Sequence, residues 1–135
     1  MGWQWMNKCF PYLGTFAVTS PFGSRGSSES YVSKYHYGID LVGKSSKTIV
    51  SCTDGTVQKV NTNSSASYGK YVFVTNNDGT GCIYAHLSSV SVSKGQKVSC
   101  KTELGIEGST GHSTGSHLHF GITSSSTYNS AVTNK

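Results

Sequence analysis

The chain has 135 residues, enough for one domain around one core, and carries a formal net charge of +5 with only 13 % charged residues. The sparse positive excess favours an anionic partner surface, but Lys and Arg are scattered singly, which argues against nucleic acid. No stretch approaches the ~18 apolar residues of a membrane span.

The start, "MGWQWMNKCFPYLG", lacks a basic region followed by a long apolar run and does not read as a signal peptide. Residues 1–14 are expected to form an N-terminal extension. Short apolar or alternating runs follow: "TFAVTS", "TIVSC", "TVQKV", "KYVFVTN", "GCIYAHL", "QKVSC" and "HLHFGIT". Their Val, Ile, Tyr, Phe and Thr suit a pleated, half-buried surface. Asp54-Gly55 and Asn77-Asp78-Gly79 read as hairpin turns, and no amphipathic helix is evident. The pattern predicts an all-β, β-dominated and antiparallel domain. Polar stretches at Gly23–Tyr35 and Asn61–Gly69 read as long loops, functional or mobile in a compact domain. Residues 124–135 read as a frayed tail or linker.

Cys9, Cys52, Cys82 and Cys100 lie far apart with no C-x-x-C pair, which speaks against a cysteine zinc site. An even count in a Ser/Thr/Gly-rich chain fits an oxidising exterior with up to two disulfides; buried free thiols are the alternative, and the sequence does not choose the pairing.

Two histidines on "HLHF" carry the chemistry. Alternate residues of a strand share a face about 6.5–7 Å apart, so His117 and His119 point one way and Leu118 points into the core. Of the six acids, Asp54 and Asp78 open turns, Glu29 lies in a loop, and Glu103 and Glu107 read as exposed strand positions. Asp40 is left, between Ile39 and Leu41 in an apolar run, where a carboxylate needs a cation or a proton donor. His36 is four residues upstream, roughly 13 Å away in an extended strand. A bend at Gly38 would let both meet one ion. His36 and Asp40 read either as a simple surface pair or, with one of His117 or His119, as the donors of a catalytic zinc with an open fourth position, the remaining histidine then standing beside a bound water as general base or hydrogen-bond donor. His86, after an apolar strand, is a further candidate, whereas His112 reads as an exposed loop residue. The metalloprotease signature H-E-x-x-H is absent.

The residues "VTSPFGSR", "HYGID", "SCTDGTV", "YGKYVFV", "YAHLS" and "GSTGHSTGSHLHF" occur in one order along nearly the whole chain. In that order they resemble the M23 family of zinc metallopeptidases, the lysostaphin-like or LytM-type peptidoglycan endopeptidases. The resemblance implies a lysostaphin/LytM-type fold, with residues 1–135 as a single catalytic domain. It implies one zinc per chain on His36, Asp40 and His119, with His86 and His117 as the two catalytic histidines that do not bind it. The implied activity is hydrolysis of cross-link or stem peptides in bacterial peptidoglycan by a monomeric, bacteriolytic, extracellular or cell-wall enzyme, either secreted or virion-borne as in a phage lysin. The resemblance also implies a substrate groove, with Gly23–Tyr35, Asn61–Gly69 and Thr110–Gly115 as candidate walls. In such a fold Cys52 and Cys100 lie on neighbouring strands that a disulfide would join, leaving Cys9 with Cys82. A competing reading is a non-catalytic wall-binding or phage tail-tip module with a structural zinc. A cupin-type oxidoreductase also uses H-x-H, but the acid expected a few residues later is missing from "FGITSSSTYN".

Overall fold

The computed structural model describes residues 9–20, 38–63, 68–110 and 115–123. Among them are nine strands and no helix: β1 Phe16–Ser20, β2 Gly38–Gly43, β3 Thr48–Val50, β4 Gly55–Asn61, β5 Lys70–Asn76, β6 Gly81–Val90, β7 Lys97–Val98, β8 Glu103–Glu107 and β9 Leu118–Thr123. Every pairing is antiparallel. The main path runs β1-β2-β9-β6-β5-β4-β7, and β8 joins β3 to the far half of β6. No helix among the described residues is long and apolar enough to cross a membrane.

The alternation along the central strands sorts side chains onto two faces. Leu41 of β2, Val72 and Val74 of β5, Cys82 and Tyr84 of β6, and Leu118 and Phe120 of β9 enter the main core. On the other face Tyr71, Phe73, Ile83 and Ala85 form a smaller cluster, with Tyr68 packed against it. Asp40 and His119 alternate with Leu41 and with Leu118 and Phe120, so they belong to the face of the smaller cluster.

Asn77-Asp78-Gly79 turns β5 into β6 as expected, with Gly79 at φ 90° and the Asn76 N–H donating to Thr80 O at 2.8 Å. Asp54-Gly55 does not make a hairpin: β3 pairs with β8, whereas β4 pairs with β5 and β7. It is a corner between strands with different partners, and Asp54 Oδ1 accepts the Cys100 N–H at 3.1 Å.

Cys9 and Cys100 form a disulfide with Cα atoms 6.0 Å apart, and Cys52 and Cys82 are buried thiols. The expected Cys52–Cys100 and Cys9–Cys82 pairing is therefore incorrect. The N-terminal segment runs alongside β3, with the Cys9 N–H donating to Cys52 O and the Val50 N–H to Pro11 O, each at 2.8 Å. That path carries Cys9 to Cys100, while Cys52 turns inward beneath the Tyr84 hydroxyl at 3.3 Å.

Glu107 also departs from expectation. Glu103 is exposed, but Glu107 is buried, with 4 % of its surface accessible. Against β3, the register of β8 slips between Ile49 and Val50, so the residues Glu103 to Gly105 face only that pair. Such a bulge breaks the period of two, and Leu104 and Glu107, three apart, both point inward.

Candidate active site

Three neighbouring strands build the site. Asp40 on β2 is paired directly with His119 on β9, and His119 with Ala85 on β6. One transverse row thus carries a carboxylate, an imidazole and a methyl group on the same face. Asp40 Oδ1 lies 3.3 Å from His119 Nδ1 and 3.7 Å from His117 Nε2. His117 precedes β9, and an isolated bridge to Gly108 holds its backbone there. Both histidines therefore reach the same carboxylate oxygen, as the H-x-H alternation requires. Two residues farther along, Gly38 faces Gly121.

His86 enters from β6 by an unusual backbone. Its φ is 65°, in the left-handed region. At this point β6 stops pairing with β9, whose last partner is Ala85, and begins pairing with β8 at Leu87. A residue in this conformation at a strand irregularity re-aims its side chain. The His86 ring lies with its centroid 4.9 Å from that of His117 and 6.2 Å from that of His119. Its backbone N–H donates to Tyr68 O at 2.8 Å. Its Nδ1 lies 2.6 Å from Thr110 O. A carbonyl only accepts, so Nδ1 carries the hydrogen and Nε2 of the neutral ring carries the lone pair. His117 Nδ1 donates in the same manner to Gly115 O at 3.0 Å. Burial is the main cause pulling His86 down to about 4, against the opposing hydrogen bond to Thr110. His86 is neutral near pH 7.

Tyr68 completes this cluster of rings. It stacks on His119 with centroids 5.4 Å apart and an interplanar angle of 29°. The sequence contains Tyr68 within "YGKYVFV", but spacing alone gives it no role, because its contact with β9 depends on how the segment before β5 is laid over the sheet.

Of the five residues singled out from the sequence, Asp40, His86, His117 and His119 come together on one face. His36 lies outside the described residues, as do His112, the Gly23–Tyr35 stretch and residues 124–135. No set of three His, Cys, Asp or Glu among the described residues is arranged to hold a metal ion. Asp40 and His119 nevertheless suit two positions of one. Donors about 2.0–2.2 Å from a tetrahedral ion stand about 3.3–3.6 Å apart, and Asp40 Oδ1 and His119 Nδ1 are 3.3 Å apart.

The sequence matches the profile of peptidase family M23 over residues 34–131. The chain belongs to peptidase family M23. Over 85 residues this M23 chain is 36 % identical to the peptidoglycan DD-endopeptidase ShyA of Vibrio cholerae, a match covering 63 % of this chain and 19 % of that one. Its fold is similar to that of lysostaphin, the antimicrobial peptidase of Staphylococcus simulans, with a TM-score of 0.75 and 26 % identity over 93 % of this chain and 49 % of that one. It is also similar to the catalytic domain of the prophage-encoded M23 protein EnpA of Enterococcus faecalis, solved as a point mutant, with a TM-score of 0.69 and 30 % identity over 84 % and 85 % of the two chains. The M23 chain spans less than a third of the length of the curated relatives it matches. The all-β lysostaphin/LytM-type fold expected from the motifs is the fold observed.

Proposed function

We propose that this M23 chain is a zinc-dependent endopeptidase that hydrolyses peptide bonds in the cross-links or stem peptides of bacterial peptidoglycan. In this reading residues 1–135 are one catalytic domain acting as a monomer outside the cell or at the wall. The observation that carries the reading is the in-register Asp40–His119 pair with His117 and His86 grouped beside it. The family membership and the printed activity of relatives such as ShyA support the substrate class. The net charge of +5 would concentrate the protein on an anionic wall.

One zinc would be held by His36, Asp40 and His119, where it supplies Lewis-acid polarisation of a scissile carbonyl and acidification of a water. The chain's own residues do the rest. His86, neutral and with its lone pair on Nε2, accepts a proton from the attacking water. His117, anchored at both its backbone N–H and Nδ1, presents Nε2 to the same space and takes part in proton transfer or in stabilising the developing oxyanion. A buried ring whose Nδ1 is already spent on a carbonyl, leaving one nitrogen for the site, suits proton transfer better than structural support. That favours the enzyme over a wall-binding module.

The test combines metal analysis with digestion of purified peptidoglycan from several species and mass analysis of the new termini. The wild type should carry about one zinc per chain and release new peptide termini. Asp40→Ala and His119→Ala should lose metal and turnover together, whereas His117→Ala should keep the metal and lose turnover. Loss of metal in His117→Ala with retention in His119→Ala would overturn the ligand assignment, and intact peptidoglycan with zinc-loaded wild type would overturn the function.

A further inference from the structure

We infer that Glu107 is a positioning residue of the active site, acting through Ser116 on His117; the inference rests on the hydrolase reading above. The Glu107 side chain is fully buried and accepts four hydrogen bonds. Oε1 accepts the Tyr12 hydroxyl at 2.5 Å and the Gly43 N–H at 2.8 Å. Oε2 accepts Lys47 Nζ at 3.1 Å and the Ser116 hydroxyl at 2.5 Å. A carboxylate has about four lone-pair positions, so this one is saturated.

The four donors come from four separate places. Tyr12 belongs to the N-terminal segment, Gly43 ends β2, Lys47 precedes β3, and Ser116 leads into β9. The pairing of β2 with β9 runs from Gly38↔Gly121 to Leu41↔Leu118 and stops there. Beyond that point the ladder no longer fixes where residues 115–117 lie relative to β2. Glu107 bridges this gap with one oxygen on Gly43 and the other on Ser116. The next residue completes the clamp, because Gly108 O accepts the His117 N–H at 3.0 Å. Gly108 itself packs tightly, and a Cβ there would lie 2.5 Å from Ser88 N. The end of β8 therefore grips Ser116 by its side chain and His117 by its backbone. The bridge to Gly108 and the hydrogen bond to Ser116 thus both act on the short segment that carries His117 over Asp40 and beside His86. A burial of this cost is unnecessary for a strand that already has a large apolar core, and the position gains a reason when the carboxylate holds a reacting group in place.

Ser116 is exposed, so its replacement by alanine opens no cavity in the core and removes only the one hydrogen bond to Glu107. The experiment compares wild type with Ser116→Ala, Ser116→Thr, Glu107→Gln and Glu107→Ala. In the metal-free proteins, NMR contacts between the His86 and His117 rings report the position of His117. In the zinc-loaded proteins, peptidoglycan hydrolysis is separated into kcat and KM. Ser116→Ala and Glu107→Ala should weaken the His86–His117 contacts and lower kcat on the order of ten-fold, with KM and zinc content nearly unchanged. Ser116→Thr should restore both, and Glu107→Gln should lie between. Unchanged ring contacts and kcat in Ser116→Ala would overturn the inference, even if Glu107→Ala failed to fold. Wild type that cleaves nothing would refute the hydrolase reading instead, and the ring contacts in the metal-free proteins would still decide whether Glu107 and Ser116 position His117.

Discussion

His86 offers a direct measure of the backbone strain at the site. Its φ of 65° sets a Cβ-bearing residue in the left-handed region, which costs about 1–2 kcal/mol for any residue but glycine. His86→Ala and His86→Gly both remove the ring, its burial and its bond to Thr110, so the difference between the two variants isolates the backbone. Glycine escapes the strain but loses roughly 0.4–1 kcal/mol more chain entropy on folding. The balance favours His86→Gly over His86→Ala by about 0.5–1 kcal/mol, or roughly 2–4 °C in Tm for a chain of this size. Urea unfolding with chelator present measures this without contributions from bound metal. Ser89, three residues on in the same strand and not among the positive-φ residues, serves as control: there the alanine variant should be the more stable. His86→Ala matching or exceeding His86→Gly would refute the argument that the site is aimed by a strained backbone.

Glu107 and the disulfide give two further outcomes. Glu107 is held below its ordinary value: burial alone would raise it, but donation from Ser116, Tyr12, Gly43 and Lys47 outweighs that. A depressed carboxyl contributes stability that is present above its unfolded pKa, about 4.3, and is lost as pH falls through its folded pKa. The stability gap between wild type and Glu107→Gln should therefore be widest near neutrality and narrow below about pH 4; a gap independent of pH would contradict this. The disulfide joins residues 91 apart in sequence, so Cys9→Ser with Cys100→Ser should lower stability by about 2–5 kcal/mol in denaturant unfolding and abolish the response to reductant. Cys52→Ala with Cys82→Ala should leave the reductant-induced loss as large as in wild type, and a loss that disappears in this second variant would contradict the pairing.

Local pattern was enough for most of the strands and for the shared facing of the two histidines of "HLHF". Alternation is a property of one strand, and it survives any arrangement of neighbours; this is why His117 and His119 had to share a face and Leu118 had to be buried. Turn chemistry likewise located the β5–β6 hairpin. The ordered motifs reached farther, and they named the family and its all-β fold. Only the tertiary structure decided where strands exchange partners. The corner at Asp54-Gly55 and the left-handed His86 arise at such exchanges, and the bulge that turns Glu107 inward and the Cys9–Cys100 bond are likewise set by tertiary neighbours. Each depends on which distant segment lies alongside, a contact between residues tens of positions apart that no local period encodes.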